Sequence, residues 1–360
     1  MIIDIPNTTV SKVSKALVRL REEGGAVALG RVLTLIIVTN FKGIEPAIKA
    51  ANEASREHPC RILVLADDKG VSKKAARLDA QIRVGGDAGA SEVVILRAHG
   101  EAASDPQGLV TGLLLPDAPV VAWWPNEAPA VASQSPIGRI AARRITDAAS
   151  QADPHAYLRQ ISKTYAPGDS DFAWTRLTLW RAQLAAILDQ PPYDPILAVE
   201  VTGAVDSPST DLLAAWLQLQ LKIKVTLIRT SRGKRVSGIR GVKLIRKSGN
   251  IEIVRNVPDV ATLIQPTQPT REISLPRRSQ RDCLSEDLRR LDPDDTFGKV
   301  ITKGFSPKAE KPSITVCSHA LHQPPQPAAL CDGGVKLRPR DHALHQAPQP
   351  AALCMACFEV

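Results

Sequence analysis

The pattern that most limits how this chain can fold is a pair of short apolar runs with one helical segment between them. The runs are Val32-Leu-Thr-Leu-Ile-Ile-Val38 and Arg61-Ile-Leu-Val-Leu-Ala66. Neither alternates polar with apolar residues, so each reads as a strand buried on both faces. Residues 45–57 lie between them. Ile44, Ile48 and Ala51 fall on one helical stripe there, and Pro46 is tolerated in the first turn of such a helix. The second run closes in Asp67-Asp68-Lys69-Gly70, a cluster of turn formers. Strand, helix and strand in that order, with both strands buried, specify a parallel crossover and therefore an α/β layer structure.

The same order recurs later in the chain. Residues 196–202 read as a strand, 209–222 as a helix and 223–228 as a strand. Two α/β domains are therefore expected, in keeping with a length of 360 residues. In the first, a helix begins at Thr8 or Thr9, carries Val10, Val13, Leu17 and Leu20 at helical spacing, and ends at Gly24-Gly25. Two further β runs at 81–84 and 92–96 flank Gly85-Gly86, a short helix covers 106–113, and another buried strand runs through 118–125. The turn-rich segment Thr164-Tyr-Ala-Pro-Gly-Asp-Ser-Asp171 makes a natural boundary. It leads into an amphipathic helix capped by Ser170 or Asp171, with Ala173, Leu177, Trp180, Leu184, Ile187 and Leu188 on one face. A hairpin joins 242–246 to 251–255 through Ser248-Gly249-Asn250, and a last helix covers 281–291. The domains expected are 1–163 and 164–303.

After Gly304 the character changes. A thirteen-residue stretch, 319–331, recurs almost verbatim at 342–354, and the segment holds eight of the 28 prolines, four of the six cysteines and four of the seven histidines. With no apolar periodicity, 304–360 is expected to be a disordered tail. Cys354 and Cys357 have a zinc-like spacing, but their histidine partners arise by duplication in proline-rich sequence, so no metal is expected.

The net charge of +9 is local. Between residues 221 and 255 there are eleven Lys or Arg and one acid, Glu252, which argues for one basic face on an otherwise balanced protein. A solvated hairpin face, a dock for an acidic protein surface and a nucleic-acid-binding module on 222–255 all remain open. Nucleic acid is the weakest of these, since no aromatic residues interleave the charges for base stacking. No run is long and apolar enough to span a bilayer, and the N-terminus lacks the basic and long apolar regions of a signal peptide. A soluble, cytoplasmic protein without membrane attachment is expected. Cys60 and Cys283, the only cysteines before the tail, make no disulfide framework.

The catalytic motifs are missing. Only His58, His99 and His155 precede the tail, no G-x-S-x-G elbow occurs, and there is no G-x-x-x-x-G-K-[ST] loop. No G-x-G-x-x-G follows either crossover strand, so neither a dinucleotide nor any other cofactor is expected, and the chain reads as a non-enzyme. Asp169 and Asp171 beside a helix start are explained by capping. Trp123 and Trp124 face opposite ways on one strand. Helices on both sheet faces would bury both, and otherwise Trp124, before Pro125, is an interface anchor.

Several of these segments together resemble the OpcA family. They are Pro119-Val-Val-Ala-Trp-Trp-Pro125, Arg143-Arg-Ile-Thr-Asp147, Tyr165-Ala-Pro-Gly-Asp-Ser-Asp171, Ala173-Trp-Thr-Arg176 and Trp180-Arg181, with the 32–40 strand and His58-Pro-Cys-Arg61 before them. The resemblance covers about residues 1–303. It implies a bacterial assembly factor and activator of glucose-6-phosphate dehydrogenase, feeding the oxidative pentose phosphate pathway without being a dehydrogenase itself. The partner implied is that enzyme. The candidate partner-binding residues are Trp124, the 165–171 loop with Asp169 and Asp171, then Trp174, Arg176 and Arg181, and the basic residues Arg232, Lys234 and Arg235.

Overall fold

The computed structural model describes residues 1–23, 32–67, 75–85, 92–191, 193–230, 238–305 and 313–317. Two mixed sheets organise the chain. The first contains β1 (Ile2–Ile5), β2 (Leu33–Asn40), β3 (Cys60–Asp67), β4 (Arg77–Arg83), β5 (Glu92–His99), β6 (Val120–Trp123), β7 (Arg143–Thr146) and β8 (Asp169–Asp171). Their order is β1-β4-β5-β3-β2-β6-β7-β8. The six strands from β5 to β8 are parallel, and β4 and β1 add an antiparallel edge. From β2 the chain winds one way through β3 and β5, then returns to the other side through β6, β7 and β8. This is the doubly wound arrangement, with its switch point between β2 and β6.

The burial of these strands explains the two apolar runs. Residues 33–37 and 60–66 are buried at every position, as strands covered on both faces require. On one face Leu35, Ile37, Ile62 and Val64 pack with Ile44 and Ile48 of α2 (Ile44–Ala54), and Leu284 and Leu288 of α9 (Gln280–Arg289) complete the layer. On the other, Ile36, Leu63 and Leu96 meet Val13 and Leu17 of α1 (Val10–Glu23), Val110 of α3 (Pro106–Thr111) and Ile137 of α4 (Pro136–Ile140). Trp123 belongs to the first layer and Trp124 to the second.

The second sheet has the order β14-β13-β12-β11-β9-β10-β15. Its strands are β9 (Ala198–Ala204), β10 (Val225–Thr230), β11 (Ile239–Ile245), β12 (Ile251–Arg255), β13 (Val260–Ile264), β14 (Arg271–Ser274) and β15 (Ser313–Cys317). The expected crossover is β9, α8 (Pro208–Leu221) and β10, with β9 and β10 parallel. The expected hairpin is β11 and β12, antiparallel, turning through Gly249 at φ +123°. Burial alternates along β9 and β11 to β13, because one face alone is covered. On that face, together with α8, lie α5 (Pro154–Thr164), α6 (Phe172–Thr175), α7 (Thr178–Leu188) and α10 (Asp295–Lys303), which contribute Leu158, Trp174, Trp180, Trp216 and Phe297 to one core.

Two expectations change. The 164–171 segment does not end as a loop, because Asp169, Ser170 and Asp171 pair in parallel with Arg144, Ile145 and Thr146 as the last strand of the first sheet. Asp-Ser-Asp has poor intrinsic strand preference, and buried charged partners hold it there. The first sheet therefore crosses residue 164, and α9 brings the chain back into the first core. In the tail, Ser313–Cys317 extends the second sheet in parallel with β10, while the remainder from residue 306, including the repeated histidines and Cys354 and Cys357, lies outside the described residues.

Candidate functional site

The seam between the sheets is built from charges with few alternatives to one another. All four residues of β7 are buried, so its adjacent arginines need partners on opposite faces. Arg143 reaches Asp287 of α9 at 2.5 Å and donates to the Asp292 carbonyl at 3.0 Å. Asp287 also accepts from Ser170 at 2.7 Å and Thr175 at 2.8 Å. Arg144 donates to Asp169 at 2.5 Å and to the carbonyls of Ala141 and Pro167. A buried guanidinium or carboxylate left alone is strongly destabilising, and these interlocked pairs supply what Asp-Ser-Asp lacks in apolar burial.

Asp171 lies at the centre of the seam, 0% exposed. Its carboxylate accepts from Thr146 Oγ1 at 2.6 Å, Ala173 N at 2.8 Å and Ala148 N at 3.0 Å, the second of these capping α6. Burial, reinforced by the neighbouring charge of Asp147, pushes its pKa up to about 6. Burial likewise raises Asp169 against the pull of Arg144. Arg176 grips Asp147 with two hydrogen bonds of 2.7 Å. Burial opposes its charge, but Asp147 holds the guanidinium above its ordinary range.

The α6–α7 segment separates two clefts. The larger, about 700 Å³, is lined by Trp174, Thr175, Thr178 and Arg181 on one side and by the acidic and basic residues of 286–296 on the other. Trp174 donates its indole N–H to Asp294 at 2.8 Å, and Arg181 stacks over its ring at 4.0 Å. Arg181 is 5% exposed. Among the described residues its Nε has no acceptor, and its one side-chain bond is to Thr178 at 3.3 Å. Burial lowers its pKa, offset in part by the charges of Asp294 and Glu286. A buried guanidinium stacked on an indole, facing a cleft without an ion pair of its own among those residues, can take a carboxylate. The smaller cleft, about 330 Å³, includes Arg176 and Trp180.

Trp174, Arg176, Arg181, Asp169 and Asp171 are thus brought together at the seam. Trp124 is not among them. It is 3% exposed and packed between the first sheet and α4, so the helices on both faces bury both tryptophans. Arg232, Lys234 and Arg235 lie outside the described residues. Of the described charges of 222–255, Lys222, Lys224 and Lys247 are exposed, while others are paired or turned inward. Lys243 pairs with Glu252 at 2.9 Å and Arg229 with Asp211 at 2.6 Å, Arg246 is buried, and Arg255 turns in over Trp180 at 5.0 Å. Sequence reasoning missed Asp147, Asp287 and Asp294. A buried arginine pair signals that acids must meet it, but the nearest clue to which ones, a separation of 144 residues for Arg143 and Asp287, is a product of the fold.

Among solved structures, a protein from Magnetospirillum magnetotacticum MS-1 proposed to be an oxidoreductase is similar at 13% identity, covering 76% of this chain and 98% of its own, with a TM-score of 0.37. A UDP-N-acetylglucosamine 3-dehydrogenase from Acidithiobacillus ferrooxidans is similar at 8% identity, covering 76% and 96%, with a TM-score of 0.28. At these values neither bears on function. No curated protein gave a significant match. Two family profiles do match. Residues 51–163 fit the glucose-6-phosphate dehydrogenase subunit N-terminal domain, and residues 167–301 fit the C-terminal domain of the same subunit. The two profiles follow one another in order and meet between residues 163 and 167, at the end of α5 and just before β8. The chain therefore belongs to the OpcA family of glucose-6-phosphate dehydrogenase assembly proteins.

Proposed function

We propose that this protein is a non-catalytic assembly factor and allosteric activator of glucose-6-phosphate dehydrogenase, acting in the cytoplasm. The observation that carries this reading is the pair of consecutive family profiles named for a subunit of that enzyme. To activate, the chain must bind the active conformation or oligomer of the dehydrogenase more tightly than the inactive one, since equal affinity shifts nothing. The cleft beside α6–α7 suits docking. Its exposed rim carries Arg289, Arg290, Asp292 and Asp295, and Arg181 stands at its floor to meet an acidic side chain. The basic residues Arg232, Lys234 and Arg235 suit long-range steering toward an acidic surface.

The test is a steady-state assay of the purified cognate dehydrogenase titrated with the full chain. A saturable change in maximal rate or substrate affinity, with no turnover by the chain alone, is expected. Arg181→Ala should weaken the saturation midpoint by about tenfold, the loss of one charge-assisted contact. No effect on rate and no co-elution of the two proteins would overturn the reading.

A further inference from the structure

The smaller cleft has a composition that docking does not explain. It lies where the carboxyl end of β9 turns through Asp206 into α8, between the two halves of the molecule. Ala149 lines it from the first half, Arg176 from the join of α6 and α7, Ile239 and Arg255 from the second sheet, and Arg277 and Arg278 close one side. Four guanidiniums therefore surround one cavity, and among the described residues that line it the one carboxylate is Asp206.

These arginines are not equivalent. Arg176 is saturated by Asp147, and Arg278 by Glu286 and by the carbonyls of Thr175 and Asp282. Arg255 is not saturated. Among the described residues it gives one hydrogen bond, to the Leu275 carbonyl at 2.7 Å, while its buried Nε has no acceptor. Burial pushes its pKa down to about 10, and the neighbouring charge of Arg277 pushes the same way. Burial also lowers Arg277. The charge of Asp259 offsets part of this at both arginines.

The third wall adds to the positive field. Ser207 caps the fourteen-residue helix α8, and Ser207, Pro208 and Ser209 of its start line the cavity. The first turn of a helix of this length carries a partial positive charge, although Pro208 brings no N–H and the N–H groups of Ser207 and Thr210 already bond to the carbonyls of Ala204 and Ser207. At Gly238, with φ +66°, a Cβ would stand 3.2 Å from Arg277 Nη1, so the glycine leaves that guanidinium its room. Pro208, Ile239 and Pro276 supply an apolar lip. Planar guanidinium forks, a helix start and serine hydroxyls are complementary to a tetrahedral dianion, and the lip and volume leave room for a small organic body attached to it.

We propose that this cavity binds a phosphorylated small molecule, its phosphate held by Arg255, Arg277 and the first turn of α8. Bound there, the phosphate gives Arg255 the anionic acceptor that it lacks among the described residues. This makes the protein a metabolite-responsive one, whatever its macromolecular partner.

The test uses the full chain alone, so its failure is separable from failure of the dehydrogenase assay. Calorimetric titration with inorganic phosphate, a hexose 6-phosphate and the free hexose, in buffers matched for ionic strength with chloride, should give saturable binding for the two phosphates and none for the hexose. The hexose phosphate should also raise the melting temperature. Arg255→Gln with Arg277→Gln should weaken phosphate binding by about tenfold or more, as expected for two charge-assisted contacts. Should that variant not fold, Ser209→Asp places a carboxylate at the helix start, where it favours the helix but should block phosphate. Absence of saturable binding would overturn the proposal. So would equal binding of the free hexose, or phosphate binding unchanged in a folded variant.

Discussion

Asp171 shows how one side chain can be both indispensable and poorly placed. Its three donors are all fixed by backbone or by a buried hydroxyl. Removing it in Asp171→Ala strands those donors and should cost about 3 kcal/mol of stability, read from chemical denaturation. The same burial raises its pKa from 3.8 to about 6. Between these values the folded state holds a proton that the unfolded chain has released. Stability from this group is therefore greatest at low pH and falls as pH rises from about 4 to about 6. Denaturation midpoints across that range should show this downward component in the wild type and its absence in Asp171→Ala. Cys283 illustrates a quieter case. Burial pushes its thiol up to about 12, in keeping with a packed structural residue.

At the scale of elements, polar strands and returning helices decide the architecture. β8 has no apolar residue, yet it closes a sheet because the turn before it lets Asp169 reach Arg144. Gly168 makes that turn at φ +91°, adding no bulk where a Cβ would stand 2.4 Å from the Ala142 carbonyl oxygen. Gly168→Ala combines a disfavoured backbone region with a collision against backbone that cannot yield. It should lower stability by about 3 kcal/mol, measured as a fall in denaturation midpoint at unchanged slope. The α9 helix makes the same point from the other direction. It has a capping box formed by Ser279 and Asp282 that marks its start, but its apolar face fits a layer begun far earlier in the chain by β2 and α2.

For the whole molecule, the distribution of charge matters more than its total. Among the described residues, the excess between 221 and 255 divides into the exposed Lys222, Lys224 and Lys247, side chains turned inward and side chains paired with acids. The proposed steering role is assigned to Arg232, Lys234 and Arg235. Reversing all three, as Arg232→Glu, Lys234→Glu and Arg235→Glu, should slow association with the dehydrogenase by about tenfold at low salt and flatten its salt dependence, measured by surface plasmon resonance. Unchanged rates would remove this segment from the docking scheme. No helix among the described residues is long and apolar enough to cross a membrane.

Much of this was legible in the chain itself. The two buried runs, the crossovers they frame, the β11–β12 hairpin and the change of character after Gly304 follow from local rules, since apolar period and turn chemistry act over a few residues. The family segments likewise lie in plain sequence. What only the tertiary structure decided is which charge meets which. Arg143 with Asp287, Arg176 with Asp147 and Trp174 with Asp294 are contacts across 29 to 144 residues, and no periodicity encodes them. The same holds for Asp169-Ser-Asp171, read from composition as a loop and made a strand by buried partners, and for the four arginines gathered around the start of α8. Local sequence chooses elements because their hydrogen bonds close within a few residues, whereas sites arise where distant elements must satisfy each other's buried charges.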